Sequence, residues 1–226
     1  MQKLVITIDG PAGAGKTTVS RMIAERLGYR YIDTGALYRG VALAAGRAGI
    51  NPDDDESLAG LCRQLRLCFV QGETGTRLLL NDEDITERIR TPQITMLASA
   101  VSARPPVREF LLGVQREMGF EKSAVFEGRD MGTVVFPEAD VKFYLDADLS
   151  QRARRRFLEM NGDSSQSIDD VERDMNQRDK NDSTRELAPL RPADDAFIVD
   201  STDLSPDGVV DTMLMHINTV FGPFDS

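Results

Sequence analysis

The sequence predicts an α/β fold: a parallel sheet flanked by helices, interrupted by an insertion and carrying a helical flap. Three observations carry this expectation. Short β-branched runs alternate with amphipathic helical stretches, a glycine-rich loop joins the first run to the first helix, and a hairpin pattern breaks the alternation after Asn51.

Leu4-Val5-Ile6-Thr7-Ile8 stops at Asp9-Gly10 and reads as a buried first strand. From Lys16 onward Val19, Met22, Ile23 and Leu27 recur at helical spacing, and Gly28 supplies the stop. Tyr29 to Ile32 predict a second strand, after which Asp33-Thr34 cap a helix from about Gly35 through Ala48, closed by Gly49. Between Asn51 and Arg90 the texture changes to an acidic turn, a helix around Leu58 to Leu65, and two strands, Leu67 to Val70 and Arg77 to Leu80. The strands flank the turn Gly72-Glu73-Thr74-Gly75 and need not join the main sheet.

Helical stretches follow at about Thr91 to Val101 and Val107 to Met118, split by the breaker Pro105-Pro106. Ala124-Val125-Phe126 and Val141 to Leu145 predict the third and fourth core strands, with a loop from Glu127 to Glu138 between them. The charged stretch from Ser150 to Arg191 is broken by small residues near Gly162 to Ser167 and reads as a mobile helical flap. Ala196 to Val199 form a last strand, and Ser205 opens a closing helix with Val209, Val210, Met213 and Ile217 on one face.

A chain of 226 residues suits one α/β core with inserted subdomains. Its formal net charge of -10 argues against a nucleic-acid or anionic-membrane surface, so an anionic ligand needs a local concentration of Arg and Lys. The two cysteines, Cys62 and Cys68, have no second pair and a single distant histidine, His216, so they read as buried free thiols rather than a zinc site. His216 itself reads as a surface-helix residue, and Gly222 to Ser226 as a frayed end. With no long apolar run and an N-terminus that enters a strand directly, the expectation is a cytoplasmic protein, monomeric in the absence of any coiled-coil pattern.

Gly10-Pro11-Ala12-Gly13-Ala14-Gly15-Lys16-Thr17 fits G-x-x-x-x-G-K-[ST] in full, between a strand and a helix. Glycines allow positive φ, so main-chain N–H groups can face phosphate oxygens, and the helix opening at Lys16 adds its positive end. Lys16 then reaches the β/γ-phosphates of ATP or GTP, Thr17 is placed to ligate Mg²⁺, and Thr18 completes the ATP- or GTP-binding set. The pattern arises by chance in roughly one chain in a hundred of this length. The expected architecture is thus a P-loop NTPase-type sheet. Glu127, after the third strand, either holds a Mg²⁺-bound water or pairs with Arg129.

A phosphate acceptor is already largely dianionic near neutrality, so its transfer site needs positive charge more than a general base. Arg39 follows the second strand and Arg129-Asp130 the third, at the carboxyl edge where sheet ligands bind. Arg178, Asp182 and Arg185 stand at i, i+4 and i+7, a spacing that puts them on one helical face. Arg152, Arg155 and Arg156 form another one-sided set. Each set alone reads more readily as a solvated salt-bridge face; beside a phosphate loop in an acidic chain the balance reverses and the site reading prevails.

Ile8-Asp9-Gly10-Pro11, Asp33-Thr34-Gly35-Ala36-Leu37-Tyr38-Arg39, Glu127-Gly128-Arg129-Asp130-Met131-Gly132-Thr133, and Arg178 with Asp182 and Arg185 before Ala188-Pro189-Leu190 together resemble the bacterial cytidylate kinases across essentially the whole chain. Two positions depart from the family pattern: Glu127 stands where many members have Asp, and Thr34 where some have Ser. The resemblance implies a core at about 1–50, 91–150 and 188–226, a monophosphate-binding insertion at about 51–90, and a lid at about 150–187. It implies phosphoryl transfer from ATP to CMP or dCMP with Mg²⁺. It implies that Thr34, Tyr38, Arg39, Arg129 and Arg178 grip the acceptor phosphate or order its surroundings, Ser99, Arg108 and Asp130 read cytosine, and Asp182 and Arg185 meet the sugar and phosphates. Lys16, Arg129, Arg178 and the lid's Arg156 are then the catalytic set. Rival readings are another acceptor, such as UMP, AMP or shikimate, and a GTPase switch, whose N-K-x-D string does not occur here.

Overall fold

The computed structural model describes residues 2–72, 75–160 and 166–222. The tip of the expected hairpin turn (Glu73-Thr74), the Gly162 to Ser165 part of the small-residue break and the tail from Pro223 lie outside the described residues. The chain divides into two compact units, Met1–Ile32 with Glu121–Ser226, and Asp33–Phe120.

The first unit opens with β1 (Val5–Asp9), α1 (Lys16–Leu27) and β2 (Arg30–Asp33, whose last residue begins the second unit). The second unit carries α2 (Thr34–Arg47), α3 (Asp55–Cys62), β3 (Leu67–Gly72), β4 (Gly75–Leu80), β5 (Glu83–Asp84), α4 (Pro92–Val101) and α5 (Pro105–Gly119). The chain returns to the first unit for β6 (Ala124–Gly128), β7 (Val141–Asp146), α6 (Leu149–Glu159), α7 (Ile168–Thr184), β8 (Phe197–Asp200) and α8 (Pro206–Phe221).

The sheet of the first unit is parallel, in the order β2-β6-β1-β7-β8. β1 is central because every one of its residues is buried, and it pairs with β6 on one side and β7 on the other. Ile6, Ile8, Val125, Phe143 and Leu145 form the sheet's share of a core completed by Val19 and Ile23 of α1 and by Val209, Val210, Met213 and Ile217 of α8. These helix residues fall at the spacings expected of faces turned to a core. Gly28 ends α1 in the left-handed region, and Ser205 caps α8 by accepting from the Gly208 N–H. Chain connections diverge to opposite sides of β1, so its carboxyl end is the crevice where open α/β sheets take their ligands.

The second unit buries Leu37, Val41, Leu58, Leu78, Ile85 and Leu111 in its own core. Its three strands form a separate antiparallel sheet, β3-β4-β5, with Leu67 opposite Leu80 and Gly72 opposite Gly75. Asp33 is the cap of α2, accepting from the Ala36 N–H.

Several expectations are corrected. β5 was not legible, since two exposed acidic residues carry no alternation. Pro105 starts α5 rather than merely ending what precedes it, because the first helical position needs no N–H. The expected loop after the third strand contains a π-helical turn, Met131–Val135, and Glu127 lies within β6. Cys62 is buried, and burial pushes its thiol pKa up, but Cys68 is only partly covered. His216, partly exposed on α8, stacks on Phe197 at a centroid distance of 4.2 Å and meets Phe143 edge-on at 5.7 Å, so part of its ring packs against the sheet.

Gly10 leaves β1 at φ +148°, and a Cβ there would lie 2.0 Å from the Leu145 carbonyl oxygen. Backbone cannot yield as a flexible side chain does. Gly10→Ala should therefore lower unfolding stability by about 3 kcal/mol or more, read by urea denaturation; an unchanged midpoint contradicts this packing.

Candidate active site

The phosphate loop crosses the carboxyl end of β1. Gly13 (φ +73°) and Gly15 (φ +92°) both take left-handed backbone, which turns successive N–H groups toward one side before α1 starts at Lys16. A Cβ on Gly13 would lie 2.7 Å from Met175 Cε and 3.1 Å from Arg152 Cβ, so the loop is covered by α6 and α7.

Lys16 is buried at 7% exposure, and its Nζ donates to the Pro11 carbonyl at 2.6 Å. Burial first, and then the nearby Arg129 guanidinium, push the ammonium well below its ordinary pKa; Arg178 adds to the depression while Glu127 and Asp9 oppose it. A buried lysine with two guanidinium groups close by is a concentration of positive charge suited to a multiply charged anion. At the entrance to α1, Thr17 Oγ1 donates to Glu127 Oε1 at 2.9 Å.

Beyond β6 the candidates Arg129, Asp130, Asp182 and Arg185 form an alternating ladder of charges. Arg129 Nε donates to Asp182 at 3.0 Å, Arg185 lies 4.0 Å from Asp182, and Arg185 Nη2 donates to Asp130 at 3.5 Å. Asp130, Asp182 and Arg185 are at most 10% exposed. Burial at this level makes the ladder far more consequential than a surface ion pair. One geometric expectation fails here: α7 ends at Thr184, and Arg185 is extended (φ -62°, ψ 144°), so it reaches the ladder from outside the helix. Its Nε is spent on the Ala188 carbonyl at 2.6 Å.

The basic set on α6 separates into different environments. Arg152 is buried, donates to the Ala12 carbonyl at 3.1 Å and pairs with Asp179, whose other oxygen accepts from the Ala12 N–H at 3.4 Å. Arg155 grips the Ser201 and Thr202 carbonyls, while Ser201 Oγ donates to the Ala14 carbonyl at 3.1 Å. Arg156 is 54% exposed and pairs with Glu159. Thr18 is exposed on α1, and Arg178 is partly buried on α7.

The second unit holds the other candidates. Thr34 is buried at the start of α2, and Arg39 donates to Asp33 at 2.8 Å. The Arg108 guanidinium lies 5.9 Å from the Tyr38 ring centroid and donates to the Ser102 carbonyl at 3.1 Å. Ser99 accepts from Ser102 Oγ at 2.8 Å through its carbonyl.

Sequence reasoning did not assign roles to Asp9 or Asp179. Asp9 left a signal: an acidic residue closes a strand that is otherwise apolar or hydroxylic. It is 3% exposed and accepts from the Met131 N–H at 2.8 Å and the Gly132 N–H at 2.7 Å. Burial raises its pKa to about 6, outweighing those two bonds; Asp130 pushes the same way and Lys16 against it.

Among the described residues there is no group of three or more His, Cys, Asp or Glu that could cage a metal ion, and no helix long and apolar enough to cross a membrane. The Thr17 hydroxyl and Glu127 carboxylate are instead a pair of hard oxygen donors, chemically suited to Mg²⁺ held jointly with nucleotide phosphates.

This phosphate loop on a five-strand parallel sheet defines a P-loop kinase fold. The fold is shared with a shikimate kinase from Bacteroides thetaiotaomicron (TM-score 0.51, 12% identity, 96% of this chain and 99% of that one) and a gluconokinase from Sinorhizobium meliloti 1021 (0.51, 14%, 96% and 93%). Residues 6–219 match the family described as Cytidylate kinase. The cytidylate kinase of Geobacter sulfurreducens is 54% identical over 211 residues, 93% of this chain and 91% of the relative. That of Pasteurella multocida is 43% identical over 216 residues, 95% of each. The chain belongs to the cytidylate kinase family, the ATP-dependent nucleoside monophosphate kinases expected from its motifs.

The raised pKa of Asp9 has a definite sign in stability. Between the ordinary carboxyl value of 3.8 and about 6 the folded chain keeps a proton that the unfolded chain has lost, so Asp9 contributes less stability as pH rises through that window. The stability difference between wild type and Asp9→Asn should therefore move by about 2 kcal/mol in favour of wild type from pH 7 to pH 4, measured by denaturant unfolding at each pH. A difference independent of pH contradicts a buried, ionised Asp9.

Proposed function

We propose that the chain transfers the γ-phosphoryl group of ATP to the phosphate of CMP or dCMP, giving ADP and CDP or dCDP, at the cationic site around Lys16. The observation that carries this reading is the buried lysine pressed by Arg129 and Arg178, in a chain of the cytidylate kinase family. The acceptor phosphate needs no base, because with a second pKa of about 6 it is largely dianionic at neutral pH.

In this reading the main-chain N–H groups of Gly10, Pro11, Ala12, Gly13, Ala14, Gly15, Lys16, Thr17 and Thr18, proline excepted, hold the ATP phosphates, and Lys16 leaves the Pro11 carbonyl for the transferring group. Thr17 and, through water, Glu127 hold Mg²⁺, which supplies charge neutralisation across the phosphate oxygens when bound. A phosphate oxygen of CMP attacks in line, and Lys16, Arg129, Arg178 and Arg156 balance the charge spread over the γ-phosphoryl oxygens.

Acceptor recognition is assigned to Thr34, Tyr38, Arg39, Arg129 and Arg178 at the phosphate, Asp182 and Arg185 at the sugar and phosphates, and Ser99, Arg108 and Asp130 at cytosine. A carboxylate accepts from the cytosine amino group, while Ser and Arg donate to the ring nitrogen and carbonyl. The segment at about 51–90 serves as the monophosphate-binding insertion, and that at about 150–187 as a lid that excludes water, the competing acceptor. The reading places the enzyme in the cytoplasm as a monomer, with no nucleic-acid or membrane partner.

Lys16→Ala should lower kcat by about 100-fold or more in a chain that still folds, followed by ADP release; near-normal turnover contradicts the role of Lys16. In a panel of CMP, dCMP, UMP and AMP, kcat/KM should favour CMP or dCMP by about tenfold or more over AMP. Equal values for CMP and AMP contradict the assignment of Ser99, Arg108 and Asp130 to the base.

A further inference from the structure

Thr7 and Asp9 point to the same face of β1, as residues two apart in a strand must, and their partners on β7 are Lys142 and Tyr144. The segment after β6 lies across this face and is fastened along its length. Asp9 takes the Met131 and Gly132 N–H groups, one on each oxygen. Phe136 packs on Phe126 at 4.4 Å, and Lys142 Nζ donates to the Pro137 carbonyl and the Asp195 carboxylate.

Gly132 shows how close the fit is. A Cβ there would lie 3.1 Å from Thr7 Oγ1, 3.2 Å from Lys142 Cδ and 3.4 Å from Asp9 Oδ2. The turn that follows closes back on the residue just before the clamp: the Val135 N–H donates to the Asp130 carbonyl at 3.2 Å and the Phe136 N–H to the Met131 carbonyl at 2.7 Å. Arg129 and Asp130 therefore leave a backbone held immediately downstream by a carboxylate and a turn, and upstream by β6.

We propose that Asp9 is a positioning residue for the acceptor: its carboxylate fixes the Met131 and Gly132 amides and thereby sets the places of Arg129 and Asp130. This rests on the assignment of Arg129 and Asp130 to the CMP site. The burial cost explains why the role is functional. Burial pushes the Asp9 pKa up to about 6, so desolvation exceeds what its amide bonds return, and stability alone is better served by a neutral acceptor. What the charge adds is two strong, directional bonds from one rigid group, each oxygen claimed by a different N–H. Asparagine offers one such oxygen and presents an NH₂ donor to the other amide. Because Asp9 also adjoins the phosphate loop, its effect must be separated from ATP binding.

The test is steady-state kinetics of wild type, Asp9→Asn, Gly132→Ala and Arg129→Ala, with CMP and ATP varied separately and folding checked by circular dichroism. Asp9→Asn should raise the KM for CMP by about tenfold or more while leaving the KM for ATP within about twofold. Gly132→Ala, which crowds and displaces the same backbone while the Asp9 carboxylate is retained, should give the same split and carries the test should Asp9→Asn not fold. If Arg129→Ala raises the KM for CMP and neither of the other variants does, the positioning role is overturned and the site assignment stands. Equal rises for ATP and CMP also overturn it, since they signify general loosening. If Arg129→Ala leaves the KM for CMP unchanged, the assignment of Arg129 fails and the inference falls with it.

Discussion

The structure depends on one electrostatic constraint: positive charge must be concentrated at the carboxyl end of β1 and kept there before any anion arrives. Main-chain N–H groups, the start of α1, Lys16, Arg129 and Arg178 all contribute, and burial first, then the two guanidinium groups, push the Lys16 ammonium well below its ordinary pKa. Such a cluster would separate unless each cation were tethered. The Pro11 carbonyl holds Lys16, Asp182 holds Arg129, and Asp179 holds Arg152 beside Ala12. The carboxylates thus keep the cationic groups in place, ready for phosphate to compete for them.

The same constraint explains where the buried acids lie. Asp182 touches both Arg129 and Arg185, Asp130 meets Arg185, and Asp9 holds the segment between them and the turn. Each is costly to bury alone, and each is made tolerable by a cation or by main-chain donors. An overall acidic chain therefore presents a cationic centre without a basic surface. That resolves the formal charge of -10 with an anionic substrate pair.

Much of this was legible from residues close in sequence. The phosphate loop is a local spacing, β1 a continuous β-branched run, and α8 a periodic apolar face, so strand, loop and helix could be placed before any coordinates. The parallel sheet, the separate hairpin and the family followed from the same local signals. Pairings distant in sequence were not legible. Spacing put Arg185 on the face of a helix that in fact ends one residue earlier, and nothing nearby marks Asp182 as the partner of Arg129. Arg152, Arg155 and Arg156 of α6 look alike in sequence, yet the first is buried on the phosphate loop, the second holds the carbonyls after β8 and the third faces solvent. The difference is set by tertiary neighbours rather than residue type. The π-helical turn was hidden because the carboxylate that takes its first two N–H groups, Asp9, lies more than a hundred residues away.

The central claim is that backbone amides after β1 form the nucleotide's phosphate cradle. Amide hydrogen exchange resolved over residues 10–18, with and without saturating ATP and Mg²⁺, addresses it directly. The account predicts exchange across Gly13 to Thr17 slowed by about tenfold or more on nucleotide addition. Unaltered exchange there, in protein shown to be saturated with ATP, would contradict it.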